Sequence, residues 1–310
     1  MEPITDGEAL TEEGRIIRGI AGFYYVETAE GTVFECKAKG IFRKDGTKPL
    51  VGDICQIMRV EESDPDPEAY PVGNICRILP RKSELLRPAV ANVDQALLVF
   101  ALRSPQPNLN LLDTFLLRME LQKIPAIIAF NKTDLDPEGE LAGKIRERFA
   151  HTDYPVFLFC AKKGEGIQAL KETLMGKCTA VAGPSGVGKS SLINLLQSNI
   201  AMETSGISKK TERGKHTTRR SELIRIGDHS YIMDTPGFTS LGTQGLEAEQ
   251  IAEGFREIVC WQEGCRFAAC SHISEPDCLV KEKMAEGLIH PSRYESYVKM
   301  YRECKDRKRY

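Results

Sequence analysis

Gly183-Pro184-Ser185-Gly186-Val187-Gly188-Lys189-Ser190 reads as a complete G-x-x-x-x-G-K-S phosphate loop. It follows the apolar run Cys178-Thr179-Ala180-Val181-Ala182 and opens a helix-forming stretch, 189–197. A loop between strand and helix belongs at the ligand-binding edge of an α/β sheet. Its glycines leave backbone N–H groups free to surround phosphate oxygens, and the helix N-terminus adds a favourable dipole. In this reading Lys189 reaches the β- and γ-phosphates, the Ser190 hydroxyl ligates Mg²⁺, and Ser191 counts among the nucleotide contacts.

Outward from this loop, two further motifs precede it. Asn131-Lys132-Thr133-Asp134 ends the apolar run 124–130 and has the form of a guanine-recognition turn. Asp134 can accept from guanine N1–H and the 2-amino group, donors that adenine lacks, and a carboxylate left unpaired penalises the wrong base. The Lys132 stem would lie against the base plane, and Asn131 would tie the turn to the phosphate loop. Cys160-Ala161-Lys162 reads as the loop that supports the base. Asp234-Thr235-Pro236-Gly237 comes last and suits a water-mediated magnesium ligand and γ-phosphate sensor. An ordinary small GTPase runs phosphate loop first and base recognition last, so this chain reads as circularly permuted.

Between the phosphate loop and Asp234 lies a polar stretch, 203–220, without apolar periodicity. It holds Lys215-His216-Thr217-Thr218-Arg219, and a threonine there fits a γ-phosphate-sensing switch. Thr218 is the favoured Mg²⁺ and γ-phosphate ligand, with Thr217 the alternative. Phe238 stands where Ras-like enzymes carry a water-orienting glutamine, so turnover is expected to be slow without a partner. His216 is the only histidine in the switch. It is either the missing water-positioning group or a plain loop histidine.

The remainder of the chain supplies three more readings. Residues 15–80 hold five short strand patterns separated by Gly, Asp and Pro turns, which suits a small closed β-barrel of the OB type, with an SH3-like barrel as the rival. Residues 1–14 read as a loose acidic tail and 81–88 as a linker. Beyond it, apolar strands alternate with helices (109–122 and 138–149 among them), which implies a parallel sheet covered on both faces. Of ten cysteines, Cys265, Cys270 and Cys278 combine with His272 as a three-thiolate, one-imidazole set for a closed, structural Zn²⁺ site. Cys260 fits that spacing less well. Cys36, Cys55, Cys76, Cys160 and Cys178 read as small core residues, and Cys304 lies in a charged helical tail. The expected domains are an OB barrel over 1–82, a permuted GTPase domain over 83–243, and a zinc-binding α domain with a basic C-terminal helix over 244–310.

A net charge of −2 gives no overall attraction to polyanions, so nucleic-acid contact must come from local clusters. Two basic runs qualify: Lys209 to Arg220, and Arg302, Lys305, Arg307, Lys308 and Arg309 in the tail. The longest apolar run, 96–102, is far too short to span a membrane, and the N-terminus lacks a signal-peptide stretch. A cytoplasmic protein, contacting no membrane and acting as a monomer, is the expectation.

Together the barrel, the displaced guanine motif, the phosphate loop, Asp234 to Gly237 and the Cys265-Cys270-His272-Cys278 spacing resemble the circularly permuted, ribosome small-subunit-dependent GTPase family (RsgA or YjeQ type). The resemblance implies a bacterial factor that binds the 30S subunit and its 16S rRNA late in maturation, with GTP hydrolysis stimulated by that subunit. It also implies a catalytic part for His216, beside the paired threonines. Cys160 departs from the serine usual in the base-support loop, and Lys215 and Arg219 make the switch more basic. The competing reading is a stand-alone metabolic or metal-handling P-loop NTPase.

Overall fold

The computed structural model describes residues 11–38, 48–60, 66, 69–86, 89–203, 222–234 and 242–307. Five strands close the N-terminal barrel in the order β1-β2-β3-β5-β4: β1 (Thr11–Ile20), β2 (Phe23–Thr28), β3 (Val33–Ala38), β4 (Ile54–Arg59) and β5 (Val72–Ile78). This is the OB arrangement, with β3 and β5 parallel and the other pairs antiparallel. Alternate residues point inward, so Ile16, Val26, Phe34, Cys36, Cys55, Ile57 and Ile75 form a core of their own. β1 starts at Thr11, inside the stretch read as a loose tail.

The stretch read as a linker is structured. Its β6 (Glu84–Leu86) pairs with β7 (Ala89–Ala91). Arg81 closes on the fully buried Asp53 through Nε at 2.8 Å and Nη2 at 2.9 Å. A charge-assisted pair this sheltered fixes the chain leaving β5 against the start of β4.

The central sheet runs β10-β9-β8-β11-β13-β12, built from β8 (Gln95–Ala101), β9 (Ala126–Asn131), β10 (Val156–Leu158), β11 (Cys178–Ala182), β12 (Leu223–Gly227) and β13 (Ser230–Asp234). All neighbours are parallel except β12, which turns back antiparallel to β13 at the edge. β8 and β9 are buried along their whole length, and their residues alternate between two faces. Leu98, Phe100, Ile128 and Phe130 meet α1 (Leu109–Leu121) and α2 (Glu140–Phe149). Leu97, Val99, Ile127 and Val181 meet α3 (Ile167–Leu174) and α4 (Lys189–Glu203). The last helix outruns the 189–197 stretch expected for it.

The C-terminal module comprises α5 (Ala248–Glu253), α6 (Arg256–Gln262), α7 (Leu279–Ala285) and α8 (Pro291–Arg307). Its core holds Ile251, Phe255, Ile258, Val280, Tyr297 and Met300, and it also takes in Leu117 from α1. Cys304, read as a tail residue, is buried in that core, because α8 turns one face inward at Arg293, Ser296, Tyr297, Met300 and Cys304. Cys76, read as a core residue, is only half-buried.

Four buried charges join this module to the sheet's helices. Arg293, 1% exposed, donates to Glu257 at 2.6 and 3.1 Å and to Asp113 at 2.5 Å, and Asp113 also accepts from Arg148. Removing one member leaves its partners charged in a dry site, which costs about 3–5 kcal/mol. Arg293→Ala is therefore expected to lower the unfolding free energy by about that amount. Denaturant titration, with hydrogen exchange reporting on α6 and α8, checks it; a loss below about 1 kcal/mol would contradict the assigned role.

Candidate functional site

The phosphate loop sits where β11 ends and α4 begins, beside the ends of β8 and β9. Gly183 has φ 149°, and a Cβ there would overlap the Val99 carbonyl, so only glycine allows the loop to leave the sheet this closely. Gly188 has φ 96°, and a Cβ there would overlap the Asn131 side-chain amide. Two stretches far apart in sequence therefore meet at one glycine.

Asn131 is 3% exposed and joins three loops. Its Nδ2 donates to Val187 O at 2.9 Å, while its Oδ1 accepts from Lys132 N at 2.7 Å and Ala161 N at 3.0 Å. Lys132 adopts the left-handed conformation and sends Nζ to Gly186 O at 2.8 Å and to Ser104 O. Thr133 and Asp134 form a single 3-10 turn ending at Leu135. The Cys160 thiol donates to Asp134 Oδ1 at 3.3 Å, so this cysteine holds the carboxylate where a serine hydroxyl is usual. Cys160 is buried, Ala161 half-buried and Lys162 exposed.

Within the phosphate loop, Val187 is buried, Pro184, Gly188 and Lys189 are half-buried, and Ser185, Gly186, Ser190 and Ser191 face solvent. Lys189 Nζ donates to the carbonyls of Gly183 and Pro184, both at 2.8 Å. Burial pushes its pKa down, and the nearby Asp234 carboxylate opposes that shift. Asp234 ends β13, and its Oδ1 is buried without a hydrogen-bond partner among the described residues. A lysine and an unsatisfied carboxylate oxygen at the mouth of a glycine cradle fit a phosphate chain with a hydrated Mg²⁺. Lys215, His216, Thr217, Thr218, Arg219, Thr235, Pro236, Gly237 and Phe238 lie outside the described residues.

In the C-terminal module the ligand atoms of Cys265, Cys270, His272 and Cys278 lie within 4.8 Å of one another. Cys265 Sγ and Cys278 Sγ are each 3.5 Å from His272 Nδ1 and 3.8 Å from each other. A tetrahedral ion with Zn–S near 2.3 Å and Zn–N near 2.0 Å needs edges of roughly 3.8 and 3.5 Å, so the donor set fits zinc. Cys260 stands outside this group and is exposed. Beside the cluster, Glu275 accepts from Ser271 N at 3.0 Å and Ile273 N at 3.2 Å, while Tyr294 and Tyr297 each donate at 2.6 Å to the carbonyls of His272 and Ser271. Burial opposes ionisation of Glu275, but the Ser271 hydroxyl and these amides outweigh it and hold the carboxyl at about 2.

Residues 78–244 match the family model for the RsgA GTPase, and residues 13–65 match the model for the RsgA N-terminal domain. The chain belongs to the RsgA GTPase family. The small ribosomal subunit biogenesis GTPase RsgA of Agathobacter rectalis is 51% identical over 308 residues, covering 96% of this chain and 99% of that protein. The protein of the same name from Caldanaerobacter subterraneus is 46% identical over 297 residues, covering 96% and 97%. Among solved structures, YjeQ from Thermotoga maritima has a TM-score of 0.78 at 34% identity, covering 95% of this chain and 99% of that one. YloQ, described as a circularly permuted GTPase, also has a TM-score of 0.78, at 32% identity, covering 98% and 99%. The chain is a GTP hydrolase with the permuted order of this RsgA family.

Motif reading missed the backbone and supporting partners of these sites. Ser104 contributes a carbonyl to Lys132, which no side chain announces, although Ser104-Pro105-Gln106-Pro107 marks a turn at the edge of the central sheet. Glu275 was legible only as the acid four residues after Ser271.

The meeting at Gly188 yields a test. Gly188→Ala is expected to displace Asn131 and weaken guanine-nucleotide affinity at least about tenfold, roughly 1.4 kcal/mol. Gly143→Ala, on the open face of α2, is expected to leave it unchanged. Fluorescent-nucleotide titration of both variants decides the matter; equal affinities would remove the contact from the site.

Proposed function

We propose that this protein is a GTPase that acts in late maturation of the small ribosomal subunit, binding the 30S particle and its 16S rRNA in the cytoplasm and turning over GTP fastest there. The observation that carries it is the 51% identity, over nearly the full length of both chains, to a protein named for small ribosomal subunit biogenesis. The OB barrel and the Cys/His module on the same chain support it, since such barrels bind oligonucleotides. Among the described residues no helix is long and apolar enough to cross a membrane.

In this reading Asp134 reads the guanine edge, Asn131 and Lys132 hold the turn against the phosphate loop, and 160–162 back the base. Amides of 183–188 and the Lys189 ammonium bind the phosphates, and Ser190, Asp234 and Thr218 (or Thr217) are the residues that would hold Mg²⁺. Bound Mg²⁺ neutralises charge between the β- and γ-phosphates. Phe238 has no atom to orient water, so His216 or a group from the particle does so. Cys265, Cys270, His272 and Cys278 hold one Zn²⁺ with no open position, a structural role.

GTP turnover with and without purified 30S subunits tests the main claim. Stimulation of about tenfold or more, roughly 1.4 kcal/mol off the barrier, is expected. Equal rates would favour a stand-alone NTPase. Elemental analysis is expected to find one zinc per chain, and Cys278→Ser to lose it together with several degrees of melting temperature; a metal-free protein of unchanged stability would count against zinc.

A further inference from the structure

Three amides of one loop converge on a single carboxylate beside the Cys/His cluster. Glu275 accepts through Oε1 from Ser271 N at 3.0 Å, and through Oε2 from Ile273 N and Ser274 N, both at 3.2 Å. The Ser271 hydroxyl donates to the same group, 2.7 Å from Oε1 and 3.0 Å from Oε2. From α8, the Tyr294 and Tyr297 hydroxyls donate to the carbonyls of His272 and Ser271, each at 2.6 Å. Lys281 Nζ, on α7, donates to the Glu275 carbonyl at 2.5 Å. Side chains thus hold this loop by its N–H groups and by its carbonyls.

The same loop carries Cys270 and His272, half of the donor set. His272 has φ 57°, a left-handed conformation that a residue with a side chain keeps only where its surroundings dictate it. Its N–H donates to Cys270 Sγ at 3.4 Å, so the two donors are also tied to each other. Every one of these bonds runs between protein groups and is available before an ion binds. A site whose backbone is already set loses less binding free energy to ordering. Both Glu275 oxygens face N–H donors. A glutamine has one carbonyl oxygen, so its amide nitrogen would meet either the Ser271 N–H or those of 273 and 274.

We propose that Glu275 is a positioning residue of the zinc site, holding the backbone of 270–275 in the form the metal needs and so setting zinc affinity. The inference rests on the reading of Cys265, Cys270, His272 and Cys278 as zinc ligands. Glu275 acts through the amides of Ser271 and Ile273, on either side of the imidazole. Its pair of acceptors is what counts, and an exposed acid such as Glu282 on α7 supplies only charge.

Zinc affinity of the full chain is to be measured by competition with a chromogenic chelator for wild type, Glu275→Gln, Ser271→Ala and Glu282→Gln. Melting temperatures of the zinc-loaded and zinc-free forms accompany it. Glu275→Gln is expected to weaken zinc binding about 10–100-fold. Ser271→Ala removes the hydroxyl but keeps the three amides, and a loss of about threefold is expected. Glu282→Gln removes the same charge and is expected to stay within about twofold of wild type. The melting temperature of Glu275→Gln is expected to fall more in the zinc-loaded form than in the zinc-free form, by linkage. Wild-type affinity in Glu275→Gln overturns the inference and leaves the zinc reading intact. Equal falls in both forms with unchanged affinity would show a merely structural role and overturn it too. A matching loss in Glu282→Gln would assign the effect to charge and also overturn it. Where Glu275→Gln does not fold, wild-type affinity in Ser271→Ala overturns the inference. A wild-type chain that takes up no zinc overturns the metal reading and the inference together.

Discussion

The side-chain amide of Asn131 is the constraint on which the three-loop arrangement at the edge of the central sheet depends. It is buried and spends its donor on the phosphate loop and its acceptor on the guanine turn and the base-support loop. A buried amide with partners on three loops sets their spacing more tightly than apolar contact could, because each lost bond leaves a desolvated group behind. Gly188 is the complement of this arrangement, since any side chain there would occupy the space of the Asn131 nitrogen. The site is thus defined by a contact across 56 positions of sequence and is indifferent to which partner comes first.

That indifference explains why permutation leaves the chemistry intact. The sheet order β10-β9-β8-β11-β13-β12 reflects which strands pair, and pairing depends on buried faces and ladder hydrogen bonds. Connections run over the surface and can be cut or rejoined wherever the ends lie close. The change of order decides what lies at the ends of the chain. The barrel now precedes the guanine turn, and the Cys/His module comes after Asp234 and a short stretch. The buried quartet of Asp113, Arg148, Arg293 and Glu257 then holds that module against α1 and α2.

Much of this was legible in the sequence because it is local. The phosphate loop, the guanine turn and the Cys/His spacing are sets of side chains whose chemistry needs their neighbours, and the barrel strands show a period of two between turn residues. The illegible parts depend on distant partners. Arg81-Lys82-Ser83 reads as linker, yet Arg81 is held by Asp53, 28 residues earlier. Cys304 sits among charges, and only the phase of α8, fixed by Tyr297 and Met300, turns it inward. The antiparallel course of β12 cannot be read from Leu223-Ile224-Arg225-Ile226, since chain direction leaves no mark on composition. The same holds for Arg118, whose acceptors are carbonyls 124 and 126 positions away.

The barrel is tied to the β12 edge of the central sheet. Arg225 of β12 donates to Glu27 Oε1 at 3.0 Å, Tyr231 of β13 donates to Glu27 Oε2 at 2.8 Å, and Arg18 of β1 pairs with Glu222. Glu27 is 8% exposed, so a cation and a phenol from neighbouring strands satisfy one carboxylate in a sheltered position. Such a contact resists sliding, because any shift of β12 along the barrel would strand that charge. β12 is therefore fixed by the barrel, while on the other side of β13 in sequence the carbonyls of Gly242, Thr243 and Gln244 are held by Arg118 of α1 and Arg307 of α8.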